Sequence, residues 1–240
     1  MKTPLDRKST PEDIKNRFDR DVERFSDLHT AQEAVIDAPI MLELISELAA
    51  VVKPDAENML DIGCGAGNNS IMIVRGNPGI NCDLVDLSLP MLERAKERLS
   101  KENTGEVKTF HGDFRDAPLP HSHYDLIAAA AVLHHLWDDS DWERCFKKIY
   151  DLLKPGGALF VSDLVHHEHD VIHKSMWRRY GEYLESLSDA GYRDKVLQYI
   201  DTEDSPRSMT YQLELMKEIG FDKVDVLHKN SCFGAYVGVK

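Results

Sequence analysis

Residues 61–67 read Asp-Ile-Gly-Cys-Gly-Ala-Gly and follow the short apolar run 58–62. Gly63, Gly65 and Gly67 permit a tight strand-to-helix turn and let backbone amides approach a ligand closely. A dinucleotide fingerprint needs a third glycine five places after the first, and Asn68 stands there. The loop also lacks the Lys-Ser/Thr ending of a phosphate-binding P-loop. Asp61 adds a negative charge where phosphates would sit. That charge is unhelpful for a pyrophosphate and suits a ligand carrying an ammonium or sulfonium group. Asp86 closes the next apolar run, at the spacing of an acid that accepts from both hydroxyls of a ribose. Gly112-Asp113-Phe114 follows the third run. Asp113 there can accept from an adenine amino group, with Phe114 as an apolar wall.

Three further clusters carry chemistry or only structure. His134 and His135 come just after the fourth run. One of them, with His135 the candidate, can act as a general base, because imidazole titrates near working pH. The alternative is that one packs and the other faces solvent. His166-His167-Glu168-His169 offers metal-type side chains. Adjacent ligands converge poorly, however, and no second spaced pair supports them, so a solvated loop is expected and no metal. Trp177, Arg178, Arg179, Tyr180 and Tyr183 either line a substrate mouth that holds an anion or pack a helix whose arginines are solvated.

These residues need elements to position them. Pro11 to Asp27 reads as one charged helix with Ile14, Phe18, Val22 and Phe25 on a face that packs in the core or closes over the ligand. Residues before it are polar and expected to be loose. Asp37-Ala38-Pro39 looks like an acidic cap and first turn, leading the stripe Met41, Leu44, Ile45, Leu48 and Val52. Strand-like runs at 58–62, 82–85, 107–111, 124–131 and 158–161 alternate with helical stretches at 89–99 (capped by Ser88) and 141–153. Lys154-Pro155-Gly156-Gly157 is expected to stop the latter helix. Strands alternating with helices imply βαβ units and a parallel sheet. Helical segments around 173–187 and 205–220 follow, then an antiparallel pair at 224–227 and 233–239.

The chain has 240 residues, 42% apolar and 30% charged, which suits one α/β domain with decorations. Its net charge of −13 repels phosphate backbones, so a small-molecule substrate ranks above nucleic acid. Cys64, Cys82, Cys145 and Cys232 share no metal-like spacing and read as free thiols. The first residues contain no apolar run of the signal-peptide kind and no stretch is long enough to span a bilayer, so a cytoplasmic protein is expected. A homodimer is left open.

The order and spacing of the glycine loop, Asp86, Gly112-Asp113-Phe114 and Leu152 to Gly157 resemble the class I methyltransferase family from Met59 to Asp163. That resemblance implies a Rossmann-like α/β fold with a seven-stranded sheet in the order 3-2-1-4-5-7-6, the last strand antiparallel. It implies S-adenosylmethionine as cofactor. Gly63 and Gly65 would meet its methionine part, Asp86 its ribose, Asp113 with Phe114 its adenine, and Ala130 would lie where strand four passes. Asp61, Cys64 and Leu87 complete the expected binding set. One domain is expected, with a helical cap over 1–53, a cofactor-binding core over 54–165, a helical insertion over 166–206 and a final helix and strand pair over 207–240.

Arg17-Phe18, Ile36-Asp37 and Asn230 to Gly234 are similar to the carboxy-S-adenosylmethionine synthases, which serve tRNA wobble-uridine modification. That family carries an Arg-Ser-Met motif whose arginine holds the added carboxylate. Here Arg207-Ser208-Met209 is displaced, Ala130 stands for an asparagine, and Ala38 or a neighbour stands for a tyrosine. These departures favour ordinary S-adenosylmethionine and methyl transfer by in-line displacement. A carboxy-S-adenosylmethionine synthase-like enzyme and a cofactor-binding module without turnover are the alternatives.

Overall fold

The computed structural model describes residues 3–27 and 33–240. Seven strands form one sheet: β1 (Asn58–Ile62), β2 (Asn81–Asp86), β3 (Val107–His111), β4 (Tyr124–Ala130), β5 (Leu153–Leu164), β6 (Lys223–Asn230) and β7 (Phe233–Val239). Their order is β3-β2-β1-β4-β5-β7-β6, as the family resemblance implies. The first five run parallel, while β7 is antiparallel to both β5 and β6. The sheet centre is covered on both faces, which is why β1 and β4 are near-continuous apolar runs.

Helices α3 (Ala38–Val52), α4 (Asn68–Gly76) and α5 (Leu89–Leu99) cover one face, where Ile45, Ile71 and Leu92 are buried with Leu84 and Phe160. Helices α6 (Asp139–Leu152) and α9 (Met209–Ile219) cover the other, burying Trp142, Phe146 and Leu215 with Tyr236. A third cluster joins α7 (Asp170–Leu187) and α8 (Ala190–Glu203) to the sheet through Tyr180, Leu184 and Val196 against Met41 and Phe233. Ser88 caps α5 as expected, its hydroxyl accepting from Met91 N.

Several local expectations are corrected. The charged N-terminal helix is two, α1 (Pro11–Arg20) and α2 (Val22–Ser26). Asp21 leaves helical geometry and its N–H turns back to Phe18 O, closing the first helix. Asp37 precedes α3 but does not cap it. It sits at φ 59°, and its carboxylate accepts instead from His228 Nε2 (2.9 Å) and Asn230 Nδ2 (2.7 Å) on β6. The buried stripe of α3 is Met41, Leu42, Ile45 and Ala49, with Val52 exposed, so the expected stripe was rotated. Lys154 to Gly157 lie in the opening of β5, which succeeds α6 without a loop. The segment before α1 is anchored, since Thr3 N–H and hydroxyl donate to Asp201 and Lys8 donates to the carbonyl of Asp204. Among the described residues no helix is long and apolar enough to cross a membrane.

Candidate active site

The site forms at the C-terminal ends of β1, β2 and β4, where the strand order reverses and crossovers leave in opposite directions. Gly63, Gly65 and Gly67 all have positive φ, a conformation that side chains resist. A Cβ on Gly63 would stand 2.4 Å from Val132, whereas one on Gly65 would project into open space. Gly65 N–H donates to Asp86 Oδ2 and Ser88 N–H to Asp86 Oδ1, both at 2.8 Å. Asp86 therefore links the loop to the start of α5. Burial pushes its carboxyl above the ordinary value, against those two hydrogen bonds.

A cavity of about 250 Å³ opens over this loop. Gly63, Cys64, Gly65, Asp86, Leu87 and Ala130 line it from the sheet side. Phe18 and Phe25 close it from α1 and α2, their rings 5.2 Å apart. Tyr199, Ile200 and Asp204 complete it from α8 and its end. A smaller cavity of about 90 Å³ shares Gly63, Asp86, Leu87 and His135, and is lined by Asp113 and Phe114. Eight of the nine residues expected to bind the cofactor thus border two adjoining spaces.

Asp61 is the exception. It is 1% exposed and lies beneath the loop, taking a hydrogen bond from Ser70 Oγ on α4. Its other oxygen has no partner among the described residues. Burial raises its carboxyl to about 7, so it is not the plain surface charge the sequence suggests. Asp113 is also more engaged than expected. Arg115 forks across both its oxygens and reaches on to Asp141 (2.8 Å). Burial opposes ionisation of Asp113, but Arg115 outweighs it and holds the carboxyl below the usual range.

The other end of the large cavity is polar. His134 and His135 sit in a 3₁₀ turn, Leu133–His135, directly after β4. His134 Nδ1 pairs with Asp163 at the end of β5, and the same carboxylate accepts from Leu133 N–H (2.8 Å) and His134 N–H (3.2 Å). Burial works against a charge on His134, yet Asp163 and Asp204 overcome it and raise the imidazole to about 9. His135 is driven the other way by burial and by His134, and stays neutral more readily than a free imidazole. Its Nδ1 lies 3.0 Å from Asp204 Oδ1, but off line, so neither atom has a hydrogen-bond partner among the described residues. Both histidines line the cavity, which rejects the picture of one packed and one solvated.

Asp204 is a site residue that the sequence did not point to, and Arg17 stood out there only through the carboxy-S-adenosylmethionine synthase resemblance. Arg17 lines the cavity while its guanidinium holds Glu203 through two bonds, of 3.0 and 2.6 Å. Asp204 follows α8, a helix with no motif in it. The His166–His169 run disperses: Lys229 approaches His167 (3.1 Å), Glu168 accepts from Ser208, and His169 caps α7. In the Trp177 cluster Tyr180 is buried while Arg178 and Arg179 are exposed, the packing alternative.

Comparison with known proteins agrees with this geometry. Residues 59–157 match the family described as Methyltransferase domain. An uncharacterised methyltransferase of Mycobacterium tuberculosis is 30% identical over 118 residues, 49% of this chain and 56% of that one. A carboxy-S-adenosyl-L-methionine synthase of Shewanella piezotolerans is 26% identical over 209 residues, 83% of each chain. Human N-acetylserotonin methyltransferase, solved in complex with S-adenosylmethionine, superposes with a TM-score of 0.61 at 21% identity, over 94% of this chain and 56% of that one. The chain spans about half the length of the first curated relatives it matches. The fold is that of the class I methyltransferases. Over residues 59–157 the chain is similar to the methyltransferase-domain family, and the fold is shared with a neighbour solved in complex with S-adenosylmethionine.

The residues present fit that cofactor. Open space above Gly65 leaves room against the loop backbone, and the unpartnered Asp61 oxygen is a buried polar atom beneath it.

Proposed function

We propose that the protein transfers the methyl group of S-adenosylmethionine to a small-molecule acceptor held between the glycine loop and the His134, His135 and Asp204 cluster. The observation that carries this reading is one cavity with a cofactor-type wall at one end and titratable side chains at the other. S-adenosylmethionine supplies a methyl on a sulfonium, which departs by in-line displacement. Alignment and exclusion of water are then the main tasks of the chain. Gly63, Cys64 and Gly65 would hold the methionine part through backbone groups, and Asp86 with Leu87 the ribose. Phe114 would wall the adenine, with Asp113 sharing its carboxylate between Arg115 and the base. Ala130 would leave space at the reacting centre. The 1–53 cap would close the pocket through Phe18 and Phe25, and the 166–206 insertion through Tyr199 and Asp204. An acceptor hydroxyl must lose a proton, and His135, neutral and bordering the cavity, is the imidazole placed to take it.

Likeness to a carboxy-S-adenosyl-L-methionine synthase over 83% of the chain supports a second reading, a carboxylated cofactor. Arg207, the residue that repeats that family's letters, is bound to Asp139, Ser205 O and Trp137 O and does not line the cavity. Arg17 and Arg24 are the arginines that do. Native mass spectrometry of freshly purified protein, with identification of any released ligand, separates the two. S-adenosylmethionine or S-adenosylhomocysteine supports methyl transfer and justifies an acceptor screen. The carboxylated form moves the second reading forward. Failure of both common cofactors to bind in calorimetric titration rejects the proposal.

A further inference from the structure

The acceptor end of the cavity has more ligating capacity than proton transfer needs. His134, His135 and Asp204 each offer one donor atom, and these atoms all lie within 4.8 Å of one another. Asp204 Oδ1 is 3.0 Å from His135 Nδ1 and 3.8 Å from His134 Nε2. Donors bound to one first-row ion at about 2.1 Å stand roughly 3.0–3.4 Å apart in octahedral or tetrahedral geometry. Asp204 and His135 therefore stand at ligating distance, and closing the trio takes a shift of His134 toward them.

The surroundings are those of a ligand set rather than of a simple ion pair. Asp204 is 6% exposed, yet its Oδ1 and the facing His135 Nδ1 make no hydrogen bond among the described residues. Leaving two buried polar atoms unsatisfied costs free energy that an ion between them would recover. Asp163 Oδ1 holds His134 Nδ1, so Nε2, on the Asp204 side, is the nitrogen from which an arriving ion would displace the proton. A carboxylate behind a ligating histidine is the usual way in which such a ring is oriented. Of the two cations beside Asp204, Arg17 is already matched by Glu203 and Lys8 is tied to the backbone carbonyl of Asp204. Asp163 and Asp204 thus bring two negative charges to two imidazoles.

We infer that His134, His135 and Asp204 bind a divalent first-row transition-metal ion, with Asp163 as the positioning residue for His134. Two imidazoles and one carboxylate leave open coordination positions, and these face the cavity. The acceptor class is accordingly one with an oxygen, nitrogen or sulfur donor able to bind the ion. This placement at the acceptor end rests on the methyltransferase reading, whereas the binding of the ion itself does not. With an ion in place His135 acts as a ligand, and its role as direct proton acceptor ends.

The test is a Co²⁺ titration of chelator-treated protein, followed by visible absorbance and by competition with Zn²⁺. One equivalent should bind with ligand-field bands in the visible. Asp204→Asn and His135→Gln should each weaken binding on the order of 100-fold, and Asp163→Asn about 10–100-fold. His169→Ala, in the dispersed histidine run, should leave it unchanged. Absence of stoichiometric binding, or binding that survives Asp204→Asn, overturns the inference. If the variants fail to fold, the ring-nitrogen shifts of His134 and His135 on adding Zn²⁺ to the wild type decide, and unmoved shifts reject the site. S-adenosylhomocysteine titrated into the same preparation reads the other proposal separately. Metal bound without cofactor sinks the methyltransferase reading alone, and cofactor bound without metal sinks this one alone.

Discussion

The two ends of the large cavity are built differently. The proposed cofactor end comes from consecutive chain: β1, the glycine loop, α4, β2 and the start of α5 lie between residues 58 and 99. Its contacts are backbone contacts, with Asp86 receiving N–H groups from both Gly65 and Ser88. The acceptor end is gathered from α1, the turn after β4, the end of β5 and the end of α8. Its contacts are between side chains, as in Arg17 with Glu203 and His134 with Asp163. A backbone cradle tolerates only certain residue types at fixed spacing. A side-chain cluster can be assembled from any segments the fold brings together, so it can change with the acceptor while the cradle stays.

The largest effect that would break this comparison concerns Gly65. Gly65→Val should abolish cofactor binding in calorimetry, because the branched side chain enters the open space over the loop and the residue sits at φ 51°. Unchanged affinity would remove the cofactor from this wall. Asp61→Asn tests the buried charge beneath it. Burial holds the folded carboxyl at about 7, against an ordinary value of 3.8. Below the unfolded value both states are protonated and stability is at its full level. As pH rises through that window the unfolded chain ionises first, so the folded state loses ground by roughly 4 kcal/mol and levels off above 7. Asparagine cannot ionise. Urea unfolding at pH 5 and pH 8 should therefore show a smaller decline in Asp61→Asn than in the wild type, and equal declines would contradict the assignment. Asp86→Ala comes next. Each lost charge-assisted bond to ribose should weaken cofactor binding by about 1.5–3 kcal/mol, with far less effect on acceptor KM. An equal loss in both would erase the distinction between the two ends.

Legibility in the sequence followed the same division. The glycine loop, Asp86 and the Ser88 cap could be read because each is fixed by local backbone geometry, while the sheet order followed only from the family resemblance that these motifs carry. Asp61 was seen as a charge but not as a buried one, since burial depends on Ser70 and α4 closing over it. Asp113 was seen as an acceptor without Arg115, two residues on, folding back across it. Asp204 carried no local signal at all: only the docking of α8, where Ser205 N–H meets His134 O at 2.6 Å, brings it to the histidines. The break at Asp21 and the swap of Asp37 from cap to partner of His228 are likewise tertiary choices.

The smallest expected effect sharpens the comparison at the edge of the acceptor end. Two readings of the Trp177 cluster differ over its arginines, and the fold places Arg178 on the outer face of α7, paired with Glu182 one turn on. Both side chains are more than half exposed, so their attraction is screened by water. Arg178→Ala should change stability by no more than about 0.5 kcal/mol and leave cofactor binding as it was. Tyr180→Phe on the inner face removes a hydroxyl that donates to Ala34 O at 2.9 Å and should cost about 1 kcal/mol. If Arg178→Ala instead raised the KM for an anionic acceptor while stability held, the mouth of the cavity would extend over this outer face. The acceptor end would then include a charged rim that the described pocket walls do not contain.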